Sequence, residues 1–558
     1  MSLPASRFGF GLAVLACVLL PAACGGGGSS GPAATPSPPM EDTRYRASGV
    51  TPFVEGCDGV APSGTLYVNA EVEPFVAVNP RDPDNIVGVW QQDRWSTGGA
   101  RGLLTGLSLD GGRTWLPRFP AFTRCAGGNA ANGGDYERAS DPWVTFAPDG
   151  TAYQIAIVFN GRTFDAGSAN AVLVSRSADG GRSWGSPLTL IRDGSSFFND
   201  KESITADPTD PRLVYAVWDR LALAGGGPTM FARTTDGGLS WEAPRPIYDP
   251  GPASQTINNQ IVVLRDGTLV DFFTQIDTVD GTARATLAVV RSLDKGVTWS
   301  APGVITPVQA LGTRDPETGV RVRDGANLGS IAAGPRGELV VAWQDARFSG
   351  GVRDGIAVAR SLDGGASWTT AIRVNREPAV PAFVPAVHVR SDGTIGVSYY
   401  DLRSNTDDRG TLPTDYWLAE SIDGQSWTET RVAGPFDLAI APNSSGLFVG
   451  DYQGLASIGS RFVPLFAQTQ GGTPSNRTDV WLSSTGAVQV AAATPAAREG
   501  VPPADGRVSP LRATPAESLP VTPELQRRLT ESVATTMERR VPGWTPRGIL
   551  RSPAPQQR

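Results

Sequence analysis

Acidic and basic side chains recur in this chain in fixed company. Trp90-Gln91-Gln92-Asp93-Arg94, Trp218-Asp219-Arg220, Trp343-Gln344-Asp345-Ala346-Arg347 and Tyr399-Tyr400-Asp401-Leu402-Arg403 each bring an aromatic ring, a carboxylate and a guanidinium close together in sequence. Further groups stand as Arg138 with Asp141, Asp200 with Glu202, and Asp451 with Tyr452. A guanidinium is a planar fork that grips a carboxylate through two parallel hydrogen bonds. If Arg94, Arg138, Arg220, Arg347 and Arg403 converge, with Asp93, Asp345, Asp401 and Asp451 among them, they can hold an acidic sugar. The same pairs can instead tie neighbouring elements together as ion pairs, and the spacing leaves both readings open.

Other chemistries are excluded by what is scarce. The single histidine, His388, sits in Ala386-Val387-His388-Val389, a strand-like pattern. One imidazole cannot form a cluster of metal ligands, and a Ser-His-Asp triad would have only this base. His388 reads as a strand residue satisfied by its neighbours, and neither a metal nor another cofactor is expected. The net charge of −7, with no long basic run, argues against a nucleic-acid partner.

The elements that must position these groups announce themselves by repetition. Ser108-Leu109-Asp110-Gly111-Gly112-Arg113-Thr114-Trp115 recurs as Ser177 to Trp184, Thr234 to Trp241, Ser292 to Trp299, Ser361 to Trp368 and, one residue short, Ser421 to Trp427. In such a phrase the hydroxyl and carboxylate bond the backbone of a turn, glycine supplies a positive φ, and the tryptophan folds back as an apolar plug. The copies start 69, 57, 58, 69 and 60 residues apart, a period that points to a radial or stacked array. Strand-like runs precede each copy, such as Phe75-Val76-Ala77-Val78 and Ile86-Val87-Gly88-Val89-Trp90, and a third leads into it. With one strand after the tryptophan, the unit is a four-stranded antiparallel blade, and the expected fold is an all-β propeller.

These phrases resemble Asp-boxes, or BNR repeats, and the chain is similar to the bacterial sialidase-like propeller family over roughly residues 60 to 486. The resemblance implies a glycoside hydrolase of exo-α-sialidase type. Asp354, which follows the Asp345-Ala346-Arg347 phrase, takes the place of the general acid. Tyr452, in Asp451-Tyr452-Gln453-Gly454-Leu455, resembles the nucleophile, with Glu202 nominated as its base. No Arg-Ile-Pro phrase stands at the first blade, where the family places the first of three carboxylate-binding arginines, so a non-catalytic propeller that binds glycan or protein is the alternative.

First and second strands can be read near Glu73, Asp141, Lys201, Asn258, Asn327, Phe383 and Gly450, which gives seven blades, with a six-bladed closure as the alternative. The seventh lacks an outer strand, which Thr65-Leu66-Tyr67-Val68 is expected to supply. Antiparallel order puts the box turns on one face. The turns from second to third strand, and the connections between blades, lie on the other, the expected site face.

The ends of the chain carry addresses. Arg7, the apolar run Phe8 to Leu20 and Pro21-Ala22-Ala23-Cys24 resemble a bacterial lipoprotein signal over residues 1–23, with Cys24 lipidated. A flexible tether over 24–58, a propeller over 59–488 and an Ala/Pro/Arg-rich tail over 489–558 follow. An extracytoplasmic monomer, held to the envelope by its lipid, is therefore expected. In that oxidising compartment Cys57 and Cys125 are expected to pair. In the tail Leu525, Leu529, Val533 and Met537 recur every fourth residue, which predicts one helix from Pro523 to Arg540.

Overall fold

The computed structural model describes residues 44–61, 63–471, 477–484, 511–546 and 548–549. Cys24, the leader and the tether up to residue 43 lie outside the described residues, as does the start of the tail. The fold is nearly all-β, with 48% strand and 6% helix, so side chains are positioned by sheet register and by turns.

Among the described residues the strands group into seven successive antiparallel units. Unit 2 shows the plan: Arg138–Phe146, Ala152–Asn160, Ala169–Ser177 and Leu188–Gly194 pair in order as a meander. The first strands of the seven units are Leu66–Val78, Arg138–Phe146, Phe197–Ala206, Ser254–Val263, Gly329–Ala333, Ala382–Val389 and Gly454–Ile458. Each packs beside the first strand of the next unit, and the last packs beside the first. Second strands are largely buried on both faces, with Trp90, Trp218 and Trp343 fully buried at equivalent places. A buried indole must spend its N–H. Trp90 donates to Gln92 at 3.1 Å, Trp218 to Asn199 at 2.8 Å and Trp343 to Asp345 at 2.9 Å.

The six repeated phrases form closed turns. In the first, the Ser108 hydroxyl accepts from Gly112 N at 2.8 Å, and Asp110 accepts from Thr114 N at 2.9 Å and from the Thr114 hydroxyl at 2.6 Å. Gly112 adopts φ 90°, and its carbonyl receives the Trp115 indole at 2.9 Å. The same serine, aspartate and hydroxyl pattern recurs at Ser177, Thr234, Ser292 and Ser361.

Two expectations need correction. The strand beside Thr478–Ser483 in unit 7 is Arg44–Arg46, with Tyr45 opposite Leu482, rather than Thr65 to Val68. Leu66–Val78 runs on through two bulges, which keeps Leu66 and Tyr67 opposite Trp95 and Arg94 inside unit 1. The segment read as tether is therefore folded from Arg44 onward: Ala47 and Phe53 are buried and Cys57 is bonded to Cys125. The tail also joins the fold. Leu511–Arg512 adds a strand to unit 6 beside Ser426–Asp437. The helix, α1, spans Pro523–Arg540, with Thr522 as its N-cap, and buries Leu525, Leu529, Val533 and Met537 against units 4 and 5.

The box carboxylates make acid stability predictable. The Ser240 hydroxyl lowers Asp236 to about 2, the Thr298 hydroxyl does the same to Asp294, and the Ser426 and Gln425 amides lower Asp423 to about 2. A depressed carboxyl stabilises the fold above its unfolded value near 4 and loses that contribution as pH falls through its folded value. The box contribution to the urea midpoint, read as the difference between the parent and a box variant, should therefore hold from pH 7 to 5 and fall between pH 4 and 2. An Asp236→Asn, Asp294→Asn double variant should be weaker at pH 7 and show a shallower fall.

Candidate functional site

Five first strands carry a bulge at the same level. Glu73, Asp141, Lys201, Asn258 and Val384 adopt φ of 54°, 54°, 50°, 66° and 52°, and register shifts at each of these places. A non-glycine residue in that conformation is costly, and five in register mark a built feature. The bulges of units 1, 2 and 3 bring three charged side chains together. Lys201 Nζ lies 3.4 Å from Glu73, 3.3 Å from Asp141 and 3.1 Å from Asp451 of unit 7. Arg323, beyond unit 4, closes on Asp451 with Nη2 at 2.6 Å and Nε at 3.1 Å.

Burial sets the protonation of this cluster. Desolvation raises Glu73 to about 8 against the pull of Lys201, so it is protonated at neutral pH. Burial also penalises Asp141, but Lys201 outweighs it and holds the carboxyl below its usual value. Asp451 is held well below its own, because Arg323 and Lys201 together overcome desolvation. Burial opposes the charge of Lys201 too, yet Asp141, Glu73 and Asp451 keep it well above the ordinary lysine range. Two cations thus balance two carboxylates.

A cavity of about 1240 Å³ opens over this cluster, on the face formed by second-to-third-strand turns and inter-unit connections. Arg94, Arg138, Lys201, Arg323, Asp451 and Arg539 stand in its wall. Arg94 and Arg323 lie against Phe448, their guanidinium carbons 4.8 and 4.1 Å from the ring centroid. Both reach the Ser444 hydroxyl, at 3.1 and 3.5 Å. Arg94 is 1% exposed and forms no ion pair among the described residues, and its Nε has no hydrogen-bond partner. Arg539, from the last turn of α1, also forms no ion pair among them and has an unpartnered Nε. Burial, followed by the charge of Arg323, lowers both Arg94 and Arg539 to about 10. Next to Arg539, Arg540 binds Asp200 and Asp219 and is spent there. The deep wall therefore keeps two guanidiniums that form no ion pair among the described residues, in a cavity also lined by Glu137, Asp165, Glu531 and Glu538, and an anion can satisfy them.

The residues singled out by sequence divide sharply. Arg94, Arg138 and Asp451 line the cavity, with Arg138 donating to Thr97 Oγ1 and Gly98 O, both at 2.9 Å, and to Ser63 Oγ at 2.7 Å. Arg347 instead grips Asp345 at 2.9 and 2.8 Å, and Asp345 also receives the Trp343 indole. Arg403 holds Asp401 at 2.6 Å and Glu429 at 3.0 Å over Trp417, and Arg220 holds Asp193 at 2.8 and 2.6 Å over Phe197. Asp93 is spent on Asn69 N and the Thr51 hydroxyl. The recurring Trp-Asp-Arg phrase is thus mainly a strand-end brace.

The three residues nominated for catalysis do not meet in one cavity. Asp354 accepts from Leu311 N and Gly312 N, each at 2.8 Å, and stays sealed, with burial and then Asp324 raising it to about 7. Tyr452 donates to Pro142 O at 3.2 Å and lines a second cavity of about 480 Å³, packed against Trp143 and Phe75. Desolvation, then Glu73 and Asp141, keep that phenol well above its usual value. Glu202 is buried, accepts from Ile157 N and is raised well above the carboxylate range by burial. His388 is a strand residue bonded to Ser457 Oγ at 2.9 Å.

Glu73, Lys201, Arg323 and Arg539 escape the sequence reading. One signal points to the first bulges: Glu73-Pro74-Phe75, Asp141-Pro142-Trp143 and Val384-Pro385-Ala386 place proline inside a strand, where it marks a bulge.

No protein-family model matches this chain, and no curated protein matches it. Among solved structures, the Hadza microbial sialidase Hz136 is 16% identical, covering 72% of this chain and 76% of its own, with a TM-score of 0.39. The α-L-arabinofuranosidase Arb93A of Fusarium graminearum, solved with an iminosugar inhibitor, is 13% identical over 61% of this chain and 93% of its own, at TM-score 0.39. The Penicillium chrysogenum α-L-arabinanase complexed with arabinobiose is 14% identical over 63% and 95%, also at 0.39. Likenesses of this size assign the chain neither an activity nor a substrate.

The buried cluster yields a paired expectation. Lys201→Met leaves Asp141 without its cation and should cost about 3 to 5 kcal/mol in chemical denaturation, as for a broken buried ion pair. Glu73→Gln, which replaces a carboxyl already neutral at pH 7, should cost less than about 1.5 kcal/mol under the same conditions.

Proposed function

We propose that this chain is a seven-bladed, Asp-box β-propeller that captures acidic glycans through a carboxylate-bearing sugar, such as a sialic or uronic acid. The observation that carries the reading is the pair of unpaired guanidiniums, Arg94 and Arg539, flanking Arg323 in the wall of the large cavity. A guanidinium matches a carboxylate bidentately, and Phe448 holds Arg94 and Arg323 in place before a ligand arrives. The ring-like order of contacts among the seven first strands supports the propeller. The Cys57–Cys125 disulfide supports an extracytoplasmic setting, in which Cys24 carries the anchor.

Capture is favoured over sialidase-type hydrolysis because Asp354 and Tyr452 stand apart, and a reacting glycoside needs acid and nucleophile around one bond. One observation keeps hydrolysis as a second reading. Glu73 and Asp141 are pushed to opposite sides of the ordinary carboxyl value, the division expected of an acid and its ionised partner. Lys201 is packed against both carboxyls.

Calorimetry with sialyllactose and with oligogalacturonate tests the reading. Arg94→Ala and Arg539→Ala should each weaken capture of the bound glycan at least tenfold, corresponding to about 1.5 to 3 kcal/mol for a charge-assisted hydrogen bond. Binding should persist to pH 9 and fall as pH rises through about 10, where Arg94 and Arg539 lose their charge. Unchanged affinity in both variants would reject the site. Release of free sugar above a denatured control, abolished by Asp141→Asn, would instead establish hydrolysis.

A further inference from the structure

The box turns carry a second pattern that their own hydrogen bonds do not explain. Their second position is Leu109, Leu293, Leu362 and Ile422 in four units, and their sixth is Leu239 in unit 3 and Val297 in unit 4. These side chains stand in water: Ile422 is 85% exposed, Leu293 78%, Leu362 75% and Leu239 74%. Isolated exposed aliphatics are ordinary on any surface. Exposed valines such as Val50, Val54, Val304 and Val352 are spread over the fold, but the larger aliphatics are not: among the described residues, the exposed leucines and isoleucines are Leu109, Leu116, Leu239, Leu293, Leu362 and Ile422. Five lie in box turns, and Leu116 directly follows a box tryptophan. Tips of equivalent hairpins, they share one face by antiparallel order, and it is the face opposite the cavity.

The chain enters the fold on that same face. Arg44 pairs with Ser483, the last residue of the third strand in unit 7. In the other units with box turns, that end of the third strand is where the turn begins. Arg44, the first described residue, therefore stands on the side that carries the exposed leucines, and the sequence before it includes the apolar run Phe8 to Leu20 and Cys24. Charged groups on this face are mixed in sign: Asp210 with Arg212, Arg336 with Glu338, Arg390 with Asp392. A neutral lipid surface is thus a better fit than a polyanion or polycation.

We infer that the box-turn face is a membrane-contacting surface, on which the aliphatic tips of units 3 to 6 enter the interfacial region of a bilayer. The cavity then faces away from the membrane. Several separate apolar tips make a weak, reversible contact, and joined to an N-terminal attachment they add the second signal that stable anchoring requires.

The test uses the full chain with Cys17→Ser and Cys24→Ser, so that no lipid is attached and an introduced thiol alone takes label. An environment-sensitive NBD probe at Ile422→Cys should brighten several-fold and shift blue on addition of phosphatidylcholine vesicles. The same probe at Val352→Cys, exposed in a second-to-third-strand turn, should not respond. The Leu239→Asp, Leu293→Asp, Leu362→Asp variant should lose vesicle flotation at least tenfold while keeping its thermal midpoint. A solvent-like probe at 422 in vesicle-bound protein would show attachment through the N-terminal segment alone and overturn the inference. So would flotation unchanged in the triple variant. Self-association abolished by that variant, without vesicle binding in the parent, would assign the tips to a second copy of the chain and equally reject a bilayer.

Discussion

A lysine ammonium with little access to water must be paid for by carboxyl groups, and Lys201 meets three, from units 1, 2 and 7, of which Asp141 and Asp451 are ionised. Much of the architecture follows from that demand. Moving an ion of this size into a low-dielectric interior costs several kcal/mol even after relaxation, so the charge is stable only where its partners are held ready. The bulges do the holding. By forcing Glu73, Asp141 and Lys201 into left-handed backbone at one level, they turn side chains of three first strands toward one point. Neighbouring units are thereby tied by a charge contact as well as by apolar packing, and a slip of the strand carrying Lys201 would leave Glu73, Asp141 and Asp451 without it at once.

The same cluster decides what remains for a ligand. With Glu73 neutral, Lys201 and Arg323 are matched by Asp141 and Asp451, and Arg540 is matched through Asp200, which leaves Arg94 and Arg539 as surplus. Arg539 comes from α1, more than fifty residues beyond the last strand of unit 7. The site is thus completed by a segment whose composition reads as a tail. The anchoring of α1 is specific: Asn327 donates to Thr536 Oγ1 at 3.0 Å, Gln526 to Ala283 O at 3.2 Å, and Met537 is fully buried. Loss of α1 would remove one of the two surplus charges and expose Asp200 and Asp219 together.

What the sequence discloses depends on how local the governing interaction is. The box turns close within eight residues, so serine, aspartate, glycine and tryptophan at fixed offsets suffice to read them. The helix is equally visible, because its buried face repeats along one short segment. The Trp-Asp-Arg phrases are legible as motifs yet misleading as a site. Asp345 is consumed by an indole and a guanidinium two residues away, Asp401 by Arg403 and the distant Trp417, and Asp219 by Arg540, contacts that spacing alone cannot distinguish from a ligand clamp. Asp354 fails for the opposite reason. Its partners are the amides of Leu311 and Gly312, some forty residues back in a long connection that carries no motif. Arg323 and Arg539 were invisible because each stands in an irregular or terminal segment whose position is fixed by packing over long sequence distances. Arg44–Arg46 is too short a strand to show a period.

Strand direction links the two faces. Each first strand runs from the cavity toward the face where first-to-second-strand turns and box turns gather, so one meander presents charge at one end and aliphatic tips at the other. These ends obey different rules. At the cavity, burial magnifies every charge, and a single unpaired guanidinium has large consequences. At the box turns, the carboxylates are solvent-facing and satisfied by their own hairpins, so the exposed second and sixth positions are free of any role in closing the turn. Four boxes nevertheless place Leu or Ile at the second position, although turn geometry there accepts Ala178 and Thr235 equally well. The membrane contact inferred above is a requirement external to the hairpin that accounts for such a choice, on the face where Arg44 stands.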